Sequence, residues 1–317
     1  MTRYIIRRLL EAVPAILGVT IISFILLHIV PGNPVRLLLG QRYTPQRAAI
    51  LAQSLGLNKP LWQQYLIWLW DALHGNFQYS YVYDKPVFSL IWQALPHTLE
   101  LVATAIILAH IVSIFLGTLQ AYYADSWLDR ILTVVTYFLY SMPTFWIGIL
   151  VIEFFAINLG WFPSGGITSP TNPNPGFWSY VYHLVLPSLT LIVTTVAGWG
   201  RYMRSSMRET LIQDYIRTAR AKGNSEFRVL FVHALRNSVL PLITLFGLSL
   251  PNLFGGALVA EEIFNYPGMG LLYWDAANDR DYPVLLAIIV FLGFITILGN
   301  LIADLLYSMV DPRITYN

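Results

Sequence analysis

Six long apolar stretches constrain the fold of this chain more than any other feature of its sequence. An α-helix rises about 1.5 Å per residue, so about 20 apolar residues are enough to cross the hydrocarbon core of a bilayer. The predicted spans are 9–30, 98–123, 131–159, 181–203, 239–260 and 283–307. The third is longer than a straight span requires and contains Pro143, so we expect it to be tilted or kinked.

The amino-acid composition supports a membrane protein. Hydrophobic residues make up 56% of the chain and charged residues only 11%, too few to cover the surface of a water-soluble protein of 317 residues. The many aromatic residues match the belts found where helices leave a bilayer. We therefore predict an all-α integral membrane protein with about six transmembrane helices.

The positions of lysine and arginine predict its orientation. Three arginines lie in the first eight residues and eight basic residues lie in 201–236, so both regions are expected in the cytoplasm. The loops 160–180 and 261–282 hold one basic residue between them and are expected outside. Long loops cross membranes largely regardless of charge, so 31–97 forms an extracytoplasmic region between the first two helices. Both termini are then cytoplasmic, in a plasma or inner membrane.

This topology divides the chain into two predicted domains. Residues 1–97 comprise the first transmembrane helix and the extracytoplasmic region. Residues 98–317 comprise a transmembrane core that carries a cytoplasmic loop at 204–236.

Several kinds of chemistry are absent from the sequence. No lysine follows a glycine, which excludes a P-loop, and neither a His-Glu-x-x-His pair nor a Gly-x-Ser-x-Gly elbow occurs. Cysteine is absent, and His97 with Glu100 would supply only two metal ligands. We expect neither an enzyme nor a cofactor, and no metal site or nucleic-acid partner.

Ionisable residues inside the predicted spans are costly in lipid and are therefore functional candidates. His110 and Glu153 are the best candidates for lining a polar pathway. The alternative is that these side chains reach the membrane interface or pack within the helix bundle.

The cytoplasmic loop contains a predicted helix pair. Asp214 is expected to cap a short helix that ends at Gly223, a position that favours positive φ. Ser225 is expected to cap a second, amphipathic helix. Its predicted apolar face consists of Phe227, Leu230, Phe231, Ala234 and Leu235. The small residues Thr218, Ala219 and Ala221 favour docking on another protein over anchoring of the arginines to lipid headgroups.

At this loop the sequence resembles a known family. The run Arg-Thr-Ala-Arg-Ala-Lys-Gly at 217–223, followed by 233–237 and Leu240-Pro241, is similar to the cytoplasmic loop of permease subunits of binding-protein-dependent ABC importers. It most resembles the dipeptide, oligopeptide and nickel branch. Arg217 and Thr218 replace the first two residues of the general Glu-Ala-Ala pattern. Further matching motifs cover most of the chain, at 28–34, 55–60, 64–65, 261–264, 266–270, 280–283 and 311–314.

The resemblance implies a function. The chain would be the first of two permease subunits, working in the lipid membrane with two cytoplasmic ATPase subunits and an extracytoplasmic binding protein. Arg217 and Arg220 would meet acidic or carbonyl groups on an ATPase. The implied coupling residues are Asp214, Tyr215, Arg217, Thr218, Ala219, Arg220, Ala221 and Gly223.

Peptides are the expected substrate. Import of a nickel chelate or glutathione is the alternative within the branch. An ion-coupled secondary transporter is a further alternative, because such proteins use buried acids near the middle of the bilayer; it would leave the helix pair unexplained.

Overall fold

The computed structural model describes residues 2–29, 34–168 and 176–310, and within these ranges the chain is helical without a β-strand. The motif residues 30–33 and 311–314 lie outside the described residues. The α-helices are α1 (Thr2–Ile29), α2 (Pro34–Leu39), α3 (Pro45–Ser54), α4 (Leu61–Leu73), α5 (Val87–Tyr122), α6 (Trp127–Ser141), α7 (Thr144–Val151), α8 (Phe177–Leu211), α9 (Asp214–Ala221), α10 (Glu226–Arg228), α11 (Leu235–Ser238), α12 (Leu240–Ile263), α13 (Met269–Asp279) and α14 (Tyr282–Val310). A 3₁₀ turn covers Gly40–Arg42, and π-helical turns cover Ile152–Asn158 and Val229–Ala234.

The all-α membrane fold is confirmed. Among the described residues, four helices contain segments long and apolar enough to cross a bilayer. These segments are Leu10–Ile29, Val87–Tyr122, Phe177–Leu211 and Tyr282–Leu301. The predicted span at 239–260 coincides with α12, whereas the total of six spans stays a prediction.

The third predicted span differs from the expected kinked helix. It consists of α6 followed by α7 and the π-helical turn Ile152–Asn158, and the two parts are bent by 108°. The break lies at Met142 and Pro143, which both have extended ψ angles of 133° and 142°. Proline cannot donate a backbone hydrogen bond and also disfavours helical geometry at the preceding residue, so the first helix ends here.

The chain forms two compact units. The first combines Met1–His97 with Pro267–Ile297, and the second combines Thr98–Tyr266 with Leu298–Asn317. The boundary at residue 97 is also the predicted domain boundary, although the sequence-based division leaves 267–297 with the second domain.

A buried carboxylate organises the first unit. Asp281 is fully buried, accepts a hydrogen bond from the Ser80 hydroxyl, and lies 3.3 Å from the backbone nitrogen of Val82. Arg280 ends α13 in the left-handed conformation, with φ of 57°, and so turns Asp281 inward. Burial, together with the charge of Asp281, raises the pKa of Tyr81 to about 12, so this phenol stays neutral.

Helix α8 is the centre of the second unit, where α6, α7, α11 and α12 all pack against it. Asp129, at the start of α6, is only 2% exposed and accepts two 2.7 Å hydrogen bonds from the Arg204 guanidinium. The Arg201 guanidinium lies over the rings of Tyr137 and Tyr140, at 5.0 and 4.1 Å from their centroids. Paired arginines thus attach the α8 end that precedes α9 to α6.

A glycine allows α5 and α8 to approach closely. A Cβ atom at Gly117 would lie 2.5 Å from the Met203 Cβ and 2.8 Å from the Gly200 carbonyl oxygen. A backbone carbonyl inside a packed helix cannot move aside cheaply, so the side chain at position 117 must be absent for this packing.

We predict that Gly117→Ala destabilises the protein although alanine is the better helix former. The added methyl should cost about 1–3 kcal/mol through overpacking, which outweighs the roughly 1 kcal/mol gained from helix propensity. Gly18→Ala in α1 is the matched control, because a Cβ there meets nothing within 4 Å. Thermal unfolding of the purified membrane protein should show a lower midpoint for Gly117→Ala only. An unchanged or raised midpoint would contradict the close α5–α8 packing.

Candidate functional site

The short helix α9 begins at Asp214, one residue earlier than the predicted cap requires. Gln213 occupies the N-cap position with an extended ψ of 150°, and its side chain makes no capping hydrogen bond. The prediction that Asp214 caps the helix is wrong, because Asp214 is already its first helical residue. Its carboxylate instead pairs with Arg217 at 3.4 Å and still lies at the positive end of the helix dipole.

The end of α9 confirms the predicted positive φ at Gly223. Its φ is +76°, and its backbone nitrogen donates to the Arg220 carbonyl at 2.9 Å. The backbone and side-chain nitrogens of Asn224 both donate to the Ala219 carbonyl, at 3.4 and 2.9 Å. Together these bonds form a Schellman ending, which requires a left-handed residue at the glycine position.

One face of α9 packs against the rest of the second unit. Ile216 and Ala219 are 0% and 6% exposed and join a cluster with Met203 and Met207 of α8. Ala219 was predicted to belong to a small-residue docking patch, but its side chain is buried. The other two residues of that patch, Thr218 and Ala221, are exposed. The buried face of α9 packs chiefly on the π-helical turn Val229–Ala234.

The second helix of the pair has the predicted cap but a different apolar face. The Ser225 hydroxyl accepts a hydrogen bond from the Arg228 backbone nitrogen at 3.4 Å, which confirms the cap. Phe227 is 71% exposed, however, while Val229 is fully buried in its place. The π-helical turn Val229–Ala234 adds a residue to the turn, so the α-helical spacing used for the prediction does not apply.

Two side-chain contacts hold α9 to the residues that follow it in the chain. Arg220 donates to both carboxylate oxygens of Glu226, at 3.0 and 3.3 Å, and so bridges the turn at Gly223. The Tyr215 hydroxyl accepts a 2.8 Å hydrogen bond from the side-chain nitrogen of Asn237 in α11. Arg220 and Tyr215 therefore have structural partners within this chain.

The outward face of α9 is polar and pre-organised. The exposed residues of α9 and its C-cap are one acid, three basic residues, two small residues and one tyrosine, namely Asp214, Arg217, Arg220, Lys222, Thr218, Ala221 and Tyr215. Because the opposite face is packed and the turn is fixed, little conformational entropy remains to be lost on binding. Within the described ranges, no three side chains that could hold a metal ion come together.

The two candidate pathway residues have separate surroundings. The His110 ring packs edge-on to Trp199 and Phe246, at centroid distances of 5.4 and 5.7 Å. Glu153 is exposed on the π-helical turn Ile152–Asn158, where it accepts a 3.2 Å hydrogen bond from the Asn158 side chain. Their role in lining a pathway stays a prediction.

Sequence reasoning missed a polar cluster at the other end of α8. The Tyr180 hydroxyl donates to the Glu100 carboxylate and lies 2.8 Å from the hydroxyl of Tyr266. Tyr266 is fully buried, and burial is the main cause that raises its pKa to about 12. Glu100 is visible in the sequence as an acid within a span, but two tyrosines 86 residues apart carry no signal that they meet.

Comparison with known proteins identifies relatives over the full chain. Residues 113–316 match the family "Binding-protein-dependent transport system inner membrane component", and residues 1–102 match its N-terminal companion. The oligopeptide transport system permease protein AppB of Bacillus subtilis is 44% identical, and the alignment covers 100% of both chains. The dipeptide transport system permease protein DppB of Escherichia coli K12 is 39% identical over 100% of this chain and 99% of that protein.

The fold is also found in a solved structure. The inward-facing MetNI methionine ABC transporter aligns with a TM-score of 0.58 at 15% identity, covering 71% of this chain and 97% of that one. This likeness supports the fold alone, while the full-length identities above carry the family assignment. The chain belongs to the family of binding-protein-dependent transport system inner membrane components, the permease subunits of ABC importers.

Proposed function

We propose that this chain is the permease that carries dipeptides or oligopeptides across the plasma or inner membrane. The 44% identity to an oligopeptide permease over the whole length carries this proposal. The further components would be a second permease, two cytoplasmic ATPase subunits and an extracytoplasmic binding protein. ATP hydrolysis would take place in the ATPase subunits, and the permease itself would carry out no chemical step.

The permease would work by alternating access. ATP can shift the permease between inward- and outward-open states only if the ATPase dimer binds the two states with different affinity. The element that transmits this difference must therefore be docked firmly on the ATPase side and packed firmly on the permease side. The helix pair α9–α10 meets the second requirement through Ile216 and Ala219.

Helix α8 offers a mechanical path away from this element. Its 35 residues form one helix about 52 Å long, from Met203 and Met207 beneath α9 to the Tyr180 cluster near its first turn. Arg204 ties the α9 side of this helix to Asp129 of α6. A displacement of α9 would thus move α6 and α8 as one body.

The outward face of α9 would contact the ATPase. Arg217 is suited to a direct ionic contact, because its side chain is 74% exposed and its pairing with Asp214 is easily exchanged. Arg220 would contribute mainly by holding the turn through Glu226, and Tyr215 by holding α9 to α11. Thr218, Ala221 and Gly223 would allow close approach, and His110 and Glu153 remain the proposed pathway residues.

In this proposal, different parts of the chain would contact the binding protein and the ATPase. Residues 31–97 and the loops 160–180 and 261–282 would receive the binding protein. Residues 98–317 would form the transport core, with the ATPase docking within 204–236.

The orientation can be tested by cysteine labelling, because the chain contains no cysteine of its own. We expect Ser164→Cys to react with a membrane-impermeant thiol reagent added outside sealed cells, and Ser225→Cys to react only after the membrane is opened. Both serines are exposed in the folded chain, so exposure is matched. Labelling of Ser225→Cys in sealed cells would contradict the proposed orientation.

The coupling role can be tested at Gly223. A valine at φ of +76° should impose about 1–2 kcal/mol of backbone strain and change the turn after α9. We expect Gly223→Val to insert normally but to lose co-purification of the ATPase subunits or substrate-stimulated ATP hydrolysis in lipid vesicles.

Gly56→Val is the matched control for this experiment. Gly56 ends α3 at φ of +69°, and the Gly56 and Leu57 nitrogens donate to Gln53 and Ala52 in the same Schellman pattern. A valine at position 56 should therefore impose the same backbone strain as a valine at position 223, but outside the helix pair. Equal loss of ATPase co-purification in both variants would contradict a specific role of Gly223. Normal co-purification together with normal substrate-stimulated hydrolysis in Gly223→Val would contradict it as well.

The substrate can be tested by growth and uptake. Cells that lack this protein and other peptide permeases should fail to grow on a dipeptide or oligopeptide that supplies a required amino acid, while the free amino acid still supports growth. Uptake of radiolabelled peptide measures the same step directly. Normal peptide uptake together with loss of a nickel-dependent activity would instead identify a nickel-chelate importer.

A further inference from the structure

The exposed face of helix α4 is apolar, and its polar residues lie on the less exposed side. All of its exposed residues are apolar, namely Leu61, Trp62, Leu66, Ile67, Trp70 and Leu73, with exposed fractions of 42% to 74%. Its three polar or charged residues, Gln63, Gln64 and Asp71, are only partly exposed. A helix on the surface of a water-soluble domain shows the opposite distribution.

The inner side of α4 explains why the polar residues point there. It borders a cavity of about 260 Å³ whose lining includes His28, Gln64, Trp68 and Gln78. The Gln64 side-chain nitrogen donates to the carbonyls of Lys59 and Leu57, at 2.7 and 3.3 Å. The Asp71 carboxylate lies 3.5 Å from the side-chain nitrogen of Gln78, so Gln64 and Asp71 both have their polar contacts within the first unit.

The depth of α4 along α1 limits what can cover that face. The Tyr65 hydroxyl lies 3.0 Å from the Thr20 hydroxyl, and the Tyr65 ring packs on Phe24 at 5.4 Å. Phe24 lies five residues, or about 8 Å, before the end of the apolar segment Leu10–Ile29, and only the Tyr65 hydroxyl reaches further, to Thr20. Helix α4 therefore lies beside the membrane-spanning part of α1, below the level at which α1 ends.

The exposed face of α4 continues a surface that must already contact lipid. On α1, Ile21, Ile22, Ile25 and Leu26 are 42% to 59% exposed within the spanning segment. Trp68 of α4 packs in one cluster with Phe24 of α1 and Leu286 of α14. The apolar face of the short helix thus belongs to the same unit and the same depth as the apolar face of the spanning helix.

We propose that α4 is an interfacial membrane helix whose face Trp62, Leu66, Trp70 and Leu73 is inserted into the leaflet that surrounds the end of α1 at Ile29. These residues recur at i, i+4, i+8 and i+11 and form one stripe. At 13 residues α4 is too short to span, and its tryptophans suit the boundary between headgroups and acyl chains. The partner of this surface is the lipid itself.

The charge of the surrounding segment fits the same partner. Residues 31–97 contain five basic and two acidic residues, an excess that the positive-inside rule does not explain for an extracytoplasmic region. Arg36 and Arg42 are exposed on α2 and the following 3₁₀ turn. Basic side chains next to an inserted helix are attracted to lipid phosphates.

Spin labelling of the assembled importer tests this proposal. Leu66→Cys and Leu73→Cys variants would be labelled with a nitroxide in the cysteine-free chain and reconstituted in nanodiscs of phosphatidylethanolamine and phosphatidylglycerol. Collision with oxygen, which concentrates in lipid, is compared with collision with a water-soluble nickel chelate. Ile22→Cys on α1 is the lipid reference, and Gln46→Cys, exposed on α3, is the water reference.

We expect both α4 labels to show an oxygen-to-nickel ratio severalfold above that of Gln46 and approaching that of Ile22. The ratio should be the same with and without the binding protein, and with transported or non-transported substrate. A ratio equal to that of Gln46 would place the face in water and overturn the proposal. Low collision with both reagents would mean that another protein subunit covers the face, and would overturn it equally.

Discussion

Lipid offers no hydrogen-bond partner to the backbone, and the structure of this chain follows from that constraint. Every span must be helical, and any interruption needs local compensation. The interruption at Met142 and Pro143 shows the rule at work, since the chain leaves α6, turns by 108°, and resumes at once as α7. Polar side chains obey the same constraint: Asp129 is buried only because the Arg204 guanidinium satisfies both of its oxygens.

Pairing of this kind gives α8 its central place. Arginines at its α9 end hold Asp129 and the rings of Tyr137 and Tyr140, while Tyr180 near its first turn meets Glu100 and Tyr266. Each contact is polar or cationic and directional, so it favours one register of the helices over others. A helix fixed at both ends is suited to transmit movement between them. The proposed coupling through α9 depends on this rigidity.

Sequence reasoning succeeded where a local rule decides the conformation. Gly223 and Ser225 were identifiable because a left-handed residue and a side-chain cap depend only on neighbouring residues, and long apolar runs identify spans in the same way. It failed where the outcome depends on an extra residue in a turn or on distant partners. The π-helical turn at Val229–Ala234 shifts the buried face from Phe227 to Val229, and the pairs Arg204–Asp129 and Tyr180–Tyr266 join residues far apart in the chain. Sequence alone also did not indicate the pair Arg220–Glu226 across the turn, and a contact of Arg220 with an ATPase stays a prediction.

Two short helices of this chain, α4 and α9, show how exposed residues identify the surrounding medium. Both helices bury one apolar face. Trp68 of α4 lies in a cluster with Phe24, and Ile216 of α9 lies in a cluster with Met203 and Met207. Their exposed sides differ, because α4 exposes only apolar residues while α9 exposes charged and small residues together with Tyr215. An unpaired apolar face is stable in lipid and a charged face is stable in water, so the two helices belong to different media. The same physical criterion therefore supports a lipid contact for α4 and an aqueous protein contact for α9.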